Sequence, residues 1–255
     1  MSRAREAIYD ALEVYDSIAP GYSSWRSRPW RIVDVLRGGT VLDLGSGHCA
    51  NGAYLASKKD VKYLICLDIS PSMLREAKSL LSRKGIPLAE LVAADAAAIP
   101  LRGESIDSVA SIAMIHHLPG SEARRVFEEV TRVLKPLGIA VMTSWSRRQL
   151  RFVSRTLLIN LLRLLRVPGP HDYKVTWRRK GRSYTRRYFL YEAEELKRLA
   201  EDVGLKVLSY GYIARSSSLN SYIVLSKVGT RGISNKTQPP LDQARSPRPK
   251  ERGFQ

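Results

Sequence analysis

Three carboxylates and two glycines stand where this chain could do chemistry. Asp43 sits inside the apolar run Thr40-Val-Leu-Asp-Leu44, and Gly45 and Gly47 follow at once. Glycines there leave the backbone free to turn at positive φ and to approach a ligand closely. Asp68 closes a second run, Tyr63-Leu-Ile-Cys-Leu-Asp68, 25 positions after Asp43. That separation lets a carboxylate grip ribose hydroxyls. Asp95 and Ala96 follow a third run, where they could meet a base. Gly-Ser-Gly alone leaves a dinucleotide open as the ligand.

The elements that must position these groups alternate. Residues 4–36 read as helical, with a break at Ala19-Pro20-Gly21. Strands are expected at 40–44, 60–68, 88–94, 109–114 and 138–145, and helices at 49–58, 70–84 and 121–134, the second capped by Ser70-Pro71. Such alternation predicts an α/β, Rossmann-like fold: a mostly parallel seven-stranded sheet with helices on both faces. A strand at 184–191, a helix at 192–203 and an antiparallel C-terminal hairpin at 207–213 and 221–226 complete it. One domain is expected over 1–228, followed by a disordered basic tail over 229–255.

Charge is concentrated. The chain carries +18 in 255 residues. Within 147–187, 13 Lys and Arg face one acid, Asp172, giving +12. The insert starts with an amphipathic leucine-arginine helix over 147–167 and continues as a basic loop. Clustered cations gain affinity for a polyanion by releasing its counterions, so nucleic acid is the expected partner, with an anionic membrane surface next. No apolar run reaches the roughly 18 residues of a membrane span, so no stable membrane insertion is expected. Cys49 and Cys66 are too few for a disulfide framework or a zinc site and are expected as buried thiols. No metal is expected, and the setting is expected to be reducing and cytoplasmic.

An acid leading into the glycine turn suits a cationic cofactor better than a pyrophosphate, and a sulfonium carries such charge. Val41-Leu-Asp-Leu-Gly-Ser-Gly47, Leu67-Asp68 and Ala94-Asp95 together resemble the class I S-adenosylmethionine-dependent methyltransferases. The resemblance implies S-adenosyl-L-methionine as cofactor, held by Asp43, Gly45, Gly47, Asp68, Asp95, Ala96 and Ser111. Tyr15-Asp-Ser-Ile-Ala-Pro-Gly-Tyr-Ser-Ser-Trp-Arg-Ser-Arg-Pro-Trp30, Ser111-Ile-Ala-Met-Ile-His-His117, Ser144-Trp145 and Arg186-Arg-Tyr-Phe-Leu-Tyr-Glu-Ala-Glu-Glu-Leu196 look like the tRNA wobble-uridine carboxymethyl methyltransferases. Residues 147–180 have no counterpart there. This narrower resemblance implies a tRNA substrate, bound at its anticodon stem-loop. It also implies a small zinc-binding activator subunit, for which the apolar third strand, Leu88 to Ala94, offers a sheet edge.

A carboxylate acceptor has an ordinary pKa of about 4 and is already ionised at neutral pH, so no general base is needed. The protein must align it with the methyl group and exclude water. Arg26 and Arg28 are the expected carboxylate clamps. His116 is expected to position substrate, with His117 pointing to the opposite face of a strand, and Trp145 to stack on a base. Tyr188 and Tyr191 read as sheet packing. Arg178, Arg179, Lys180, Arg182 and Arg186 are the expected RNA contacts. Two other readings stand beside this one: a small-molecule methyltransferase acting on a quinone or lipid at a membrane surface, and a non-enzymatic RNA-binding protein on a cofactor fold.

Overall fold

The computed structural model describes residues 3–20, 22, 28–149, 152, 173–179, 182–215 and 218–229. Its main sheet has seven strands in the order β3-β2-β1-β4-β5-β9-β8. These are β1 (Gly39–Leu44), β2 (Val61–Asp68), β3 (Ala89–Ala93), β4 (Ile106–Ser111), β5 (Leu134–Trp145), β8 (Leu205–Arg215) and β9 (Ser218–Lys227). The first five run parallel; β9 pairs antiparallel with β5 and with β8. Among the described residues the α-helices are α1 (Arg3–Ile18), α2 (Ala50–Lys58), α3 (Pro71–Arg83), α4 (Gly120–Val133) and α5 (Ala193–Glu201).

Period-2 alternation divides the core between the two faces of the sheet. Leu42 and Leu44 pack with Val126, Phe127 and Val130 of α4 and Leu196 of α5. Val41, one residue before Leu42, points to the other face and packs with Leu55 of α2 and Ala77 and Leu81 of α3. Local signals agree with this packing. The Ser70 hydroxyl accepts from the Met73 N–H at 3.1 Å, with Pro71 in the first turn of α3. Glu192 and Glu195 form a reciprocal capping box on α5.

Four expectations are corrected. Helix α1 ends at Ile18, at the expected break, but beyond it the helical reading gives way to a short 3-10 turn, Arg31–Val35. The fourth strand ends at Ser111 rather than 114, because Ala113 takes a positive φ of 57° and turns the chain into a 3-10 helix, Ile115–His117. The apolar run Ile112-Ala-Met-Ile hid that turn. The basic loop before residue 184 holds a strand, β6 (Tyr173–Arg179), paired antiparallel with β7 (Arg182–Tyr188) as a separate hairpin.

The cysteines are not thiols: Cys49 and Cys66 form a disulfide, both wholly buried. Their proximity comes from register, not spacing, since Cys66 pairs with Asp43 while Cys49 caps α2 just beyond the glycine turn. The bridge therefore staples the turn to β2. The amphipathic helix expected over 147–167 lies, apart from 147–149 and 152, outside the described residues, as do Lys180 and the tail beyond Gly229. Among the described residues no helix is long and apolar enough to cross a membrane, and no cluster suits a metal ion.

Candidate active site

The carboxyl ends of the central strands open into one cavity of about 330 Å³. Gly45 (φ 67°) and Gly47 (φ 56°) form the turn at its floor. A Cβ on Gly45 would lie 2.2 Å from Met114 Cγ, so only glycine fits. The turn is held from beside it: the Gly45 N–H donates to the Leu67 carbonyl at 2.8 Å, and Gly47 N–H to Asp68 Oδ2 at 2.7 Å. Asp68 Oδ1 accepts from Ser70 N–H at 2.9 Å, fixing a half-buried carboxylate on the cavity wall. Burial pushes its pKa up, against the pull of these N–H donors. Asp95 and Ala96 line the wall beyond it, with Asp95 Oδ1 accepting from Ala97 N–H at 2.9 Å.

Asp43 is placed differently. It is buried beneath the turn, off the cavity wall, and its Oδ2 accepts from Gly52 N–H at 2.8 Å. Burial raises its pKa from 3.8 to about 7, with Asp68 adding to the rise and the Gly52 N–H opposing it. The unfolded chain loses this proton near pH 4 and the folded chain near pH 7. Between those values the folded state binds a proton that the unfolded state lacks, so this group's contribution to stability falls as pH rises from about 4 to about 7 and is flat above. Denaturant titrations of wild type and Asp43→Asn should show the wild-type advantage shrinking across that window. Parallel curves for the two proteins would contradict it. Ser111 ends β4 with a buried hydroxyl that also lies off the cavity wall.

The half of the cavity away from the glycine turn is aromatic. Both His116 and His117 line it, correcting the expectation that only one would. They occupy a 3-10 turn rather than a strand, and their ring centroids are 4.5 Å apart. His116 Nδ1 accepts from the Trp145 N–H at 3.2 Å, and its ring stacks on the indole at 4.9 Å. Tyr188 stacks on the same indole at 4.7 Å while standing 5.3 Å from His116. The three rings form one aromatic cluster. Tyr188 thus lines the cavity rather than merely packing the sheet, whereas Tyr191 donates its hydroxyl to the Leu118 carbonyl and packs in the core.

The β6–β7 hairpin roofs this half through Val175, Arg186 and Tyr188. Arg186 lies within the cavity wall, donating from Nη1 to the Tyr15 hydroxyl of α1 at 3.1 Å. Arg28 also lines the cavity but is exposed. Arg26 lies outside the described residues. Arg178, Arg179 and Arg182 fall on the far end of the hairpin, where only the backbone is described. Sequence reasoning missed the placement of Arg186 inside the cavity and missed Tyr15 altogether. The signal for the first was the alternation Arg186-x-Tyr188 on one strand face.

A family described as a methyltransferase domain matches residues 42–142. A protein of Encephalitozoon cuniculi, described as a methyltransferase, is 32% identical over 207 residues, covering 77% of this chain and 87% of its own length. The chain belongs to the class I S-adenosylmethionine-dependent methyltransferases. An Arabidopsis thaliana tRNA (carboxymethyluridine(34)-5-O)-methyltransferase is 37% identical over 142 residues, covering 53% of this chain. The chain spans only 32% of that relative's length. Among solved structures, a Haloferax volcanii methyltransferase in complex with the Trm112 methyltransferase activator has a TM-score of 0.58 at 16% identity, covering 90% of this chain and 97% of its own. That likeness is one of fold.

The cofactor of this methyltransferase is S-adenosylmethionine, and the residues fit it. Asp68, a carboxylate pinned by two N–H donors, would hold the ribose diol, Asp95 and Ala96 would border the adenine, and the bare Gly45–Gly47 backbone would leave room for the methionine portion. When bound, the cofactor supplies an electrophilic methyl group.

Proposed function

We propose that this methyltransferase transfers a methyl group to the carboxymethyl side chain of a wobble uridine in a tRNA anticodon loop. The observation that carries this reading is Arg186: a guanidinium set in the aromatic acceptor compartment of the cavity that holds the cofactor turn. A guanidinium binds both oxygens of a carboxylate, and Trp145, in the same compartment, is the proposed stacking partner of the pyrimidine. The acceptor oxygen is already anionic, so catalysis reduces to alignment and water exclusion. Arg28 at the rim, and Arg26 near it in sequence, supply further cations. His116 serves as a positioning group for Trp145, accepting from its backbone N–H and stacking on its indole. The hairpin carries Lys174, Arg178, Arg179, Arg182 and Arg187, so the basic segment supports phosphate contacts next to the acceptor compartment. A tRNA substrate sets the protein in the cytoplasm.

The edge strand β3 supports a partner as well. Leu88 beside it is 59% exposed and Tyr63 on the neighbouring strand 60%, an apolar edge of the kind that a second protein covers. An activator subunit like that of the Haloferax complex is the proposed occupant. Incubating labelled S-adenosylmethionine with tRNA bearing 5-carboxymethyluridine, with and without such an activator, tests the function. Label should appear in the wobble nucleoside; label recovered only in solvent-extractable small molecules would replace this reading by the small-molecule one.

A further inference from the structure

Helix α1 carries two adjacent residues that reach different halves of the site. Asp16 accepts from the Ser70 hydroxyl and, at 3.0 Å, from the Ser72 N–H at the start of α3, beside the cofactor carboxylate Asp68. Asp10, two turns earlier, pairs with Arg187 of β7 at 3.5 Å. The helix is thereby fixed to both walls. Tyr15 lies on the cavity wall between these anchors, and its hydroxyl is 3.0 Å from His117 Nε2 and 3.1 Å from Arg186 Nη1. Its ring stands edge-on to His117 at 5.3 Å and beneath the Arg186 guanidinium at 5.4 Å.

We propose that Tyr15 is a positioning residue for the acceptor: its hydroxyl orients Arg186 and fixes the tautomer of His117. The donor inventory fixes the direction of the Arg186–Tyr15 bond. Arg186 can only donate, so it takes a lone pair of the phenol oxygen, and the proposal assigns the phenol proton to His117 Nε2. His117 then carries its own proton on Nδ1. The guanidinium is thus held by Tyr15 within the acceptor compartment, 5.6 Å from the Tyr188 ring. The proposal rests on the reading of Arg186 as an acceptor-binding group.

The test is Tyr15→Phe, which keeps the ring and removes only the hydroxyl. Losing a hydrogen bond to a charged group should raise KM for carboxymethyluridine-containing tRNA by about tenfold or more, with S-adenosylmethionine affinity held within about twofold. Histidine ¹⁵N–¹H correlation spectra should show wild-type His117 as the Nδ1–H tautomer and Tyr15→Phe as a mixture. A wild-type Nε2–H tautomer, or an unchanged acceptor KM in Tyr15→Phe, overturns the role. Equal losses in cofactor and acceptor binding also overturn it, because they mark a purely structural residue. If the wild-type protein does not methylate that tRNA, the proposed substrate fails while the tautomer measurement still decides the part played by Tyr15.

Discussion

Asp68→Ala is expected to lose S-adenosylmethionine binding by about two to four orders of magnitude. A carboxylate that holds a ribose diol makes two charge-assisted hydrogen bonds, each worth about 1.5–3 kcal/mol when a partner is removed. In the absence of ligand the same oxygens accept from Gly47 and Ser70 N–H groups at 2.7 and 2.9 Å, so removing them also frees the glycine turn. Both effects act on the cofactor and neither acts first on the acceptor. Calorimetric titration checks this, with circular dichroism confirming the fold. Asp68→Asn, which keeps an acceptor oxygen but no charge, should lose less. Tight cofactor binding by Asp68→Ala would show that the ribose is held elsewhere.

Arg186→Met should behave in the opposite sense. Methionine keeps much of the apolar stem that packs beneath the hairpin, while the guanidinium is gone. Truncating one partner of a desolvated charge pair costs about 2–5 kcal/mol, so kcat/KM for a carboxylate acceptor should fall by about 30-fold to several thousand-fold. S-adenosylmethionine affinity should stay as in wild type, because Arg186 belongs to the β7 wall and not to the glycine turn. Arg186→Lys should recover part of the loss, since a lysine supplies charge without the two-pronged fit. Steady-state kinetics at saturating cofactor separates these outcomes.

The cofactor half of the site was legible in the sequence because it is local. Val41 to Gly47 is one strand and its turn, and Asp68 and Asp95 end the next two strands, so strand order alone brings them together. The acceptor half is assembled over long separations: Tyr15 meets Arg186 across 171 positions and His117 across 102. Periodicity carries no such information. The strand β6 does carry a signal, since Tyr173, Val175 and Trp177 alternate with Lys174, Thr176 and Arg178, but the density of basic residues around it reads as a loop; its pairing with β7 is what lowers Arg186 into the cavity. The disulfide escaped for a related reason, as 17 positions separate cysteines that only parallel register makes neighbours. His116 and His117 were placed one secondary structure away from the truth, since Ala113 at positive φ gives no composition signal.

The central claim is that the methyl group ends on a carboxylate oxygen. The most direct measurement is the alkali lability of the product. The tRNA is labelled from methyl-labelled S-adenosylmethionine, purified, and brought briefly to mild alkali. A carboxymethyl ester releases its label as volatile methanol and returns the free acid at the wobble uridine. Label that stays on the nucleoside through that treatment would mean methylation at carbon, nitrogen or ribose oxygen, and would contradict the account of Arg186 and its compartment.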